Sequence, residues 1–397
     1  MSPQIQIPVK PFAAFIDAAF AWLSKTSEMK TGLELRLFKE GQDLHVSVGA
    51  DSNSIEAVLE ADVSALTAPI FLDMSYLANY TFDIDSLALV IPQPGGDDKS
   101  KIERRAQFKA PGQNFRIPIR AGVYWERNEQ DLNQFADTPG FSMTRDLVQE
   151  IYPYLELPDS FDARKKALPQ LAFEQVGDFL QCYTWDGFGA FWHSFKFEGF
   201  QPLSGFKKIL IPYEFLIPYK KIKEFSHLTL KQSSKLSLFE LSGMPGFKRF
   251  RWLQPRYVKG MEDIPTALQR IRAKADTCLT FDTQEFLRNT EKATVFLRGA
   301  RDMQGVSLSF SIIQDSYALS TNTPDSEMII EGKAKSSVPT HKHVSFQPAC
   351  LMDYLKCLER GQDFNMELFN ETLTLFQDVK TEKGEKKILY WMPVYLR

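Results

Sequence analysis

Apolar residues along this chain follow two rhythms, one near 3.6 residues that marks a helix with a buried face and one of two that marks a half-buried strand. The opening run "KPFAAFIDAAFAWLSK" keeps the helical period. The runs "GLELRLF" and "DLHVSVGA" alternate and are separated by a polar turn, so they predict a hairpin. A second helix is predicted at "DMSYLANYTF". Strands "LALVIP" and "NFRIPIRAG" follow, on either side of the Gly/Pro/Asp-rich loop "QPGGDDKSKIERR".

The same order returns twice. After the loop-like "RNEQDLNQFADTPG" come the helix "TRDLVQEIYPYLEL", which Pro153 kinks or ends early, and the strands "DFLQCYTW" and "AFWHSFKFE". Then come the helix "EFLIPYKKIKEF", with Pro218 in its first turn, and the strands "HLTLKQ", "KLSLFEL" and "FKRFRWL". The third copy runs from "DTQEFLRNTEKATVFLRG" through "GVSLSFSII", "SYALSTNT" and "EMIIEGKA" to the helix "ACLMDYLKCLERG". It closes with "FNMELF", "ETLTLFQ" and "KILYWMPVYL". First helices begin near Lys10, Thr144 and Asp282 and second helices near Phe71, Pro212 and Phe346, so both landmarks recur at about 140 residues. The economical reading is an α+β protein of three similar domains, 1–137, 138–275 and 276–397, each with two helices packed on antiparallel sheets.

Composition narrows the function classes. In 397 residues, 44% are hydrophobic and 32 are Phe, which suits well-packed domains and excludes a mostly disordered chain. Lys and Arg total 47 against 50 Asp and Glu, a formal charge of -3. A nucleic-acid site must therefore be a local patch. Cys182, Cys278, Cys350 and Cys357 form no CxxC pair and read as reduced. The start "MSPQIQIPVK" lacks a charged segment followed by an apolar one, and no stretch nears eighteen apolar residues, so a cytoplasmic location is expected. The sequon at Asn370 is then a chance match.

Candidate chemistry is sparse. His341 and His343 form His-x-His, but no third metal ligand is placed nearby, and a surface or interface pair is the commoner meaning. "GFGAFW" lacks a third glycine and opens no helix, Asp97 and Asp98 read as a turn, and GxxxxGK[ST], HExxH and GxSxG are absent. No cofactor and no catalytic role are predicted.

One feature asks for an explanation. The chain ends in "ILYWMPVYLR", and a segment this apolar must be held by something. With the preceding residues it resembles the final domain of the bacterial DNA polymerase III β subunit, the sliding clamp. The strand-to-helix pattern is carried by Phe346, Leu351, Asp353, Leu355 and Leu358, and the family's Tyr-x-x-Met-Pro-Met ending by Tyr390, Met392, Pro393 and Val394. In the middle domain, "CYTWDGFGAF" resembles the family's Thr-Asp-Gly-His-Arg-Leu turn at Asp186 and Gly187. "ILIPYEF" resembles its Val-Pro segment, and "QPRY" stands for Phe-Pro-Asp-Tyr. The first domain follows the order of elements with little motif support.

The resemblance implies a clamp fold, a homodimer closing head to tail into a six-domain ring around double-stranded DNA, and capture of polymerase and clamp-loader peptides in an apolar pocket. That pocket would be lined by Ala190 or Phe191, Pro255, Val258, Pro348, Tyr390, Met392, Pro393 and Val394. Without the resemblance, an apolar strand is more often core. Phe188-Gly189 stands where the family has His-Arg, and Tyr395 where it has Arg, which predicts a reshaped, more aromatic pocket.

Sequence-independent binding needs backbone-directed cations on the inner helices. Candidates are Lys25, Lys30, Lys220, Lys221, Lys223, Arg288, Lys292, Lys356 and Arg360. Lys220 with Lys223, Arg288 with Lys292, and Lys356 with Arg360 are three or four apart and share helix faces. Solubilising charge paired with Glu224, Glu291 and Glu359 is the competing reading. Two functions follow: a DNA sliding clamp, or a clamp-fold interaction scaffold without DNA encirclement.

Overall fold

The structure is a computed structural model. It describes residues 4–23, 34–50, 53–78, 80, 82, 87–90, 105–120, 132–149, 170–185, 189–197, 208–212, 221–222, 224–256, 263–298, 308–313, 315–323, 326–336, 341–346, 348–381, 384–393 and 395–396.

Strand β1 (Gln4–Ile7) leads into α1 (Val9–Leu23), where Pro11 sits in the first turn and the missing N–H is harmless. Strands β2 (Glu34–Glu40), β3 (Asp43–Ala50) and β4 (Asn53–Leu59) form a meander, with Gly41 supplying the positive φ of 63° that the β2–β3 turn requires. Next come β5 (Ile70–Asp73), α2 (Ser75–Ala78), β6 (Leu87–Val90), β7 (Arg105–Ala110), β8 (Gln113–Pro118) and β9 (Phe141–Thr144). The middle of the chain supplies β10 (Gln170–Val176), β11 (Phe179–Trp185), β12 (Ala190–Phe197), β13 (Lys208–Pro212), β14 (His227–Gln232), β15 (Leu236–Ser242) and β16 (Phe247–Pro255). The last part holds α3 (Ile264–Arg272), β17 (Thr277–Asp282), α4 (Thr283–Arg298), β18 (Leu308–Ile313), β19 (Ser316–Thr323), β20 (Ser326–Lys333), β21 (Lys335–Ser336) and β22 (His341–Phe346). It closes with α5 (Pro348–Cys357), β23 (Asp363–Phe369), β24 (Thr372–Thr381), β25 (Gly384–Pro393) and β26 (Tyr395–Leu396).

By packing, the chain gathers into two compact units. The first comprises residues 1–150 and 214–257, the second 151–213 and 258–397. Unit 1 contains a four-stranded sheet, β1-β6-β7-β8, and an eight-stranded sheet, β5-β2-β3-β4-β16-β15-β14-β9. Unit 2 contains a nine-stranded sheet, β13-β10-β11-β12-β25-β24-β23-β17-β21, and a five-stranded sheet, β20-β19-β18-β22-β26. Every pair between the named strands is antiparallel, as alternating patterns with short turns demand.

In unit 1, Phe12, Phe15, Ile16 and Trp22 of α1 are fully buried, and Phe15 meets Phe250 of β16 edge-on at 6.1 Å. Trp252 stacks on Phe239 at 5.1 Å on that same sheet face. The opposite face carries a polar row, because the register sets Arg36, Ser47, Glu56, Arg251 and Glu240 side by side on five strands. Glu56 accepts from Arg251 at 3.0 Å and Arg249 at 3.4 Å, and lies 3.3 Å from His45.

Three predicted elements differ in extent. Helix α2 is a single turn, started by Asp73, whose Oδ1 accepts from the Ser75 N–H and hydroxyl; Tyr80 and Phe82, expected within it, instead make ring contacts with Phe115 and Phe12. Helix α5 ends at Cys357, since the chain tightens where the Leu358 N–H donates to the Leu355 carbonyl and then passes through Gly361 at φ 82°. Arg360 therefore lies beyond the helix and does not share a helical face with Lys356. The closing strand breaks at Pro393, which has no N–H for a ladder. Up to there it pairs with β24, while Tyr395 and Leu396 pair with Ser345 and Val344 in the other sheet of unit 2. The apolar chain end is thus held by both sheets of its unit.

Most of the predicted helices over 144–157 and 214–225, with Pro153, Pro218, Lys220 and Lys223, lie outside the described residues, as do Lys25, Lys30, Asp97, Asp98, Val258 and Val394.

Candidate functional site

Two regions of unit 2 hold most of the candidate residues that the structure describes. The first is built on the seam between β12 and β25, which runs in unbroken register from Ala190 opposite Trp391 to Phe197 opposite Gly384. Alternation along "AFWHSFKF" divides its side chains between two faces. Phe191, His193 and Phe195 share one face with Lys386, Ile388, Tyr390 and Met392 of β25, by register. Tyr390 stacks on Tyr354 of α5, with ring centres 4.3 Å apart and 17° between planes, so α5 covers this face. The other face presents Ala190, Trp192 and Leu389, packed against Ile264 and Leu268 of α3 together with Trp391.

The seam is therefore buried on both sides. Ala190, Phe191, Tyr390 and Met392 are 5%, 1%, 1% and 4% exposed, as residues of an interior are. Pro255 closes β16 in unit 1. Pro348 begins α5 and Pro393 ends β25, with side chains outside the described set.

His193 is the titratable group at the centre of this seam. Its ring lies 5.8 Å from Phe195 and 5.3 Å from both Phe191 and Tyr390. Burial drives its pKa well below 6.5 because an imidazolium would lose its hydration there, and the charge on Lys386 pushes the same way. Lys386 is itself paired with Glu359 at 2.8 Å. Cys182, opposite His193 on β11, has its thiol pKa raised by burial. Such groups are inert at neutral pH, which is the chemistry of a packed joint.

The second surface is formed by α4 and α5. Asp282 caps α4, its Oδ1 accepting the Glu285 N–H at 2.6 Å. Arg288, Lys292 and Lys356 are exposed, and Arg360 is exposed in the turn after α5. Arg288 and Arg360 line one cleft of about 530 Å³, so folding does bring these two cations together. Asp282, Glu285 and Glu291 line it as well, a feature the spacing of Lys and Arg alone did not reveal. Lys221 is exposed in unit 1.

Among the described residues no group of three His, Cys, Asp or Glu is placed to hold a metal ion. His341 and His343 lie on β22, facing Ile313 and Ser311 across the ladder. No helix among those residues is long and apolar enough to cross a membrane.

Two sheet ends complete the picture. Strand β8 ends the four-stranded sheet and carries exposed Arg116, beside exposed Arg105 and Lys109 on β7. Strand β20 ends the five-stranded sheet and carries exposed Glu331 and Ile329, the latter 58% exposed. Gly332 on β20 is obligatory, because a Cβ there would lie 2.3 Å from the Tyr317 ring. That ring packs on Phe286 of α4, and its hydroxyl accepts from Asn289 Nδ2 at 3.0 Å. Burial pushes the Tyr317 pKa up to about 12.

Helix α3 is the main element that sequence reading missed. Its signals were present: Asp263 accepts the Thr266 N–H, Pro265 stands in the first turn, and Arg270 and Arg272 stand in the last.

No protein-family model and no curated protein matches the sequence. Solved structures do match over the whole chain. A DNA polymerase sliding clamp from Bacillus subtilis has 15% identity and a TM-score of 0.76, covering 100% of this chain and 99% of its own. A DNA polymerase III beta subunit from Thermotoga maritima has 13% identity and a TM-score of 0.73, covering 99% of both chains. A sliding clamp from Pseudomonas aeruginosa, solved bound to griselimycin, has 12% identity and a TM-score of 0.70, with full coverage of both. The chain has the fold of the bacterial sliding clamps.

Proposed function

We propose that this chain is a divergent DNA sliding clamp, a non-catalytic processivity factor that encircles duplex DNA and tethers a polymerase and clamp-loader subunits through short peptides. The carrying observation is the likeness to solved clamps along the entire length, since a likeness confined to one domain would say little about a ring. Each chain contributes three domains, 1–137, 138–275 and 276–397, and two chains close the ring head to tail.

The sheet ends fit that closure. Pairing β8 of one chain with β20 of another would satisfy two open edges, cover Ile329, and set Arg105, Lys109 and Arg116 against Glu331. Arg288, Lys292, Lys356 and Arg360 supply phosphate contacts without base readout, together with Lys25, Lys30, Lys220, Lys221 and Lys223. Partner peptides dock beside the end of β25, where Val258, Pro348, Pro393 and Val394 form an apolar wall over the buried Ala190, Phe191, Tyr390 and Met392, and Pro255 is a further candidate.

Light scattering tests the assembly: a stable species of twice the 45.5 kDa chain mass is expected. Clamp-loader-dependent retention on nicked circular DNA, lost on linearisation, tests encirclement. A persistent monomer, or equal retention on both forms, overturns the reading. One observation favours the alternative of an interaction scaffold without DNA passage: three carboxylates share the cleft of Arg288 and Arg360. If Arg288→Glu with Lys292→Glu leaves retention unchanged, this helix carries no DNA contact; a loss of about tenfold or more supports the clamp.

A further inference from the structure

Helix α3 crosses the face of the nine-stranded sheet opposite α5, and its two ends are anchored by different chemistry. Its apolar residues Ile264 and Leu268 pack on the β10–β12 side of the seam, against Ala172, Tyr183 and Trp192, and onto Leu389 of β25. Its last residue reaches past β25 and β24 to β23. Arg272 Nε donates to Glu367 Oε2 at 2.8 Å and Nη2 to Oε1 at 2.7 Å, a two-pronged pair. The guanidinium lies 3.6 Å from the ring centre of Phe376 on β24, which holds it flat against the sheet. Glu367 is 8% exposed, and its Oε2 also accepts from the Thr374 hydroxyl at 3.2 Å.

The helix is nine residues long. Isolated helices below about 12 residues are marginal in water, so α3 has no stable existence away from the sheet. It is either docked and helical or undocked and unfolded. The apolar anchor straddles the seam between β12 and β25, and the charged anchor holds the helix end beyond it on β23.

We propose that α3 is a strap over this seam, and that strap and seam open together as one local unit when the Arg272–Glu367 anchor is broken. Release would bare Trp192, Leu389 and Trp391 and free β25 from β12. The strap thereby sets how often the C-terminal strand leaves the sheet. This inference concerns unit 2 alone and does not depend on the clamp reading.

Native-state hydrogen exchange on the full chain tests it, comparing wild type with Arg272→Ala. Amides of 264–272, 190–197 and 384–393 should exchange about 10- to 100-fold faster, the range spanned by losing a charged hydrogen-bonded anchor. Amides of 44–48 and 250–253 in unit 1 should be unchanged. Arg272→Lys keeps the charge and loses the two-pronged geometry, so it should give a smaller acceleration in the same places; it serves as the test if Arg272→Ala does not fold. Acceleration in α3 without the seam would make the helix a surface ornament. Equal acceleration of β18 and β19 would mean general destabilisation. Either outcome, or no change at all, overturns the proposal.

Discussion

Each unit has a seam where strands from distant parts of the chain meet, β4 with β16 in the first and β12 with β25 in the second, and the two are secured by opposite means. The first is held on one face by charge. Glu56 collects Arg249, Arg251 and His45, and a register shift between Phe247 and Arg249 is accommodated beside it. The second has no such shift; aromatic packing holds one face, with the Lys386–Glu359 pair toward its end, and α3, tied down by Arg272–Glu367, covers the other. A slip of one residue in the first would set Arg251 and Glu240 on the opposite face from Arg36 and Glu56, so the charges of one side would turn toward the core. The same slip in the second would exchange Tyr390 with Trp391, and the Tyr354 stack and the α3 contacts would be lost together. One topological task is thus solved once with a carboxylate at the centre of the joint and once with aromatic and helical cover whose ion pairs lie away from its centre.

The sharpest way to break that contrast is Tyr390→Ala. Losing a fully buried ring should lower the unfolding free energy by about 4 kcal/mol in a urea titration; a loss under about 1 kcal/mol would mean the stack is dispensable. Glu56→Gln comes next. It leaves the guanidiniums of Arg249 and Arg251 without their carboxylate, and a loss of about 3 kcal/mol is expected by the same measurement; no loss would show that the polar row is ornamental.

A gentler probe is pH. His193 is held neutral in the native state, while unfolded histidine titrates near 6.5. Below pH 6.5 the unfolded chain therefore binds more protons than the native one. Stability should fall by roughly 1.4 kcal/mol for each pH unit down to the native pKa, and His193→Phe should flatten that slope. A slope that persists in the variant would place the titration elsewhere. The smallest effect belongs to Lys387→Ala, which removes a 4.0 Å pair with Asp378 between two partly exposed side chains and should leave the unfolding midpoint unmoved.

These contrasts explain what could be read in advance. Helices α1 and α4 and the strands β2, β3, β11, β12, β19, β20, β23 and β24 were legible because one face of each is apolar at a clean period. Strands β4 and β10 escaped because "NSIEAVL" and "QLAFEQV" mix both faces; each pairs with its hairpin neighbour, β3 or β11, on one side and with a strand further along, β16 or β13, on the other. Helix α3 escaped because it is nine residues long, so Ile264, Leu268 and Ile271 keep the helical period for little more than two turns and its caps were the stronger signal. In the candidate site, Arg288 and Arg360 were named from charge alone and do meet in one cleft; Asp282, Glu285 and Glu291 stand at three-residue steps from Arg288 along α4 and its cap, whereas Arg360 arrives from the turn after α5, a meeting that spacing along one helix does not give. Likewise, Tyr390 and Met392 were legible as apolar, whereas the two-sided burial that makes them a joint depends on α5 and α3 arriving from either face.

The distant pairing of the second seam also has a temporal side. Ala190 and Trp391 meet across roughly two hundred residues, a separation that makes such contacts slow to form. While the chain emerges from a ribosome, β12 waits with its edge open until β25, about two hundred residues later, has been made. Its sequence, "AFWHSFKF", is rich in aromatic residues with a single charge, the composition of a strand that invites pairing with another copy of itself. The hazard for this protein in the cell is therefore concentrated before folding ends, and it is the late arrival of β25 that removes it.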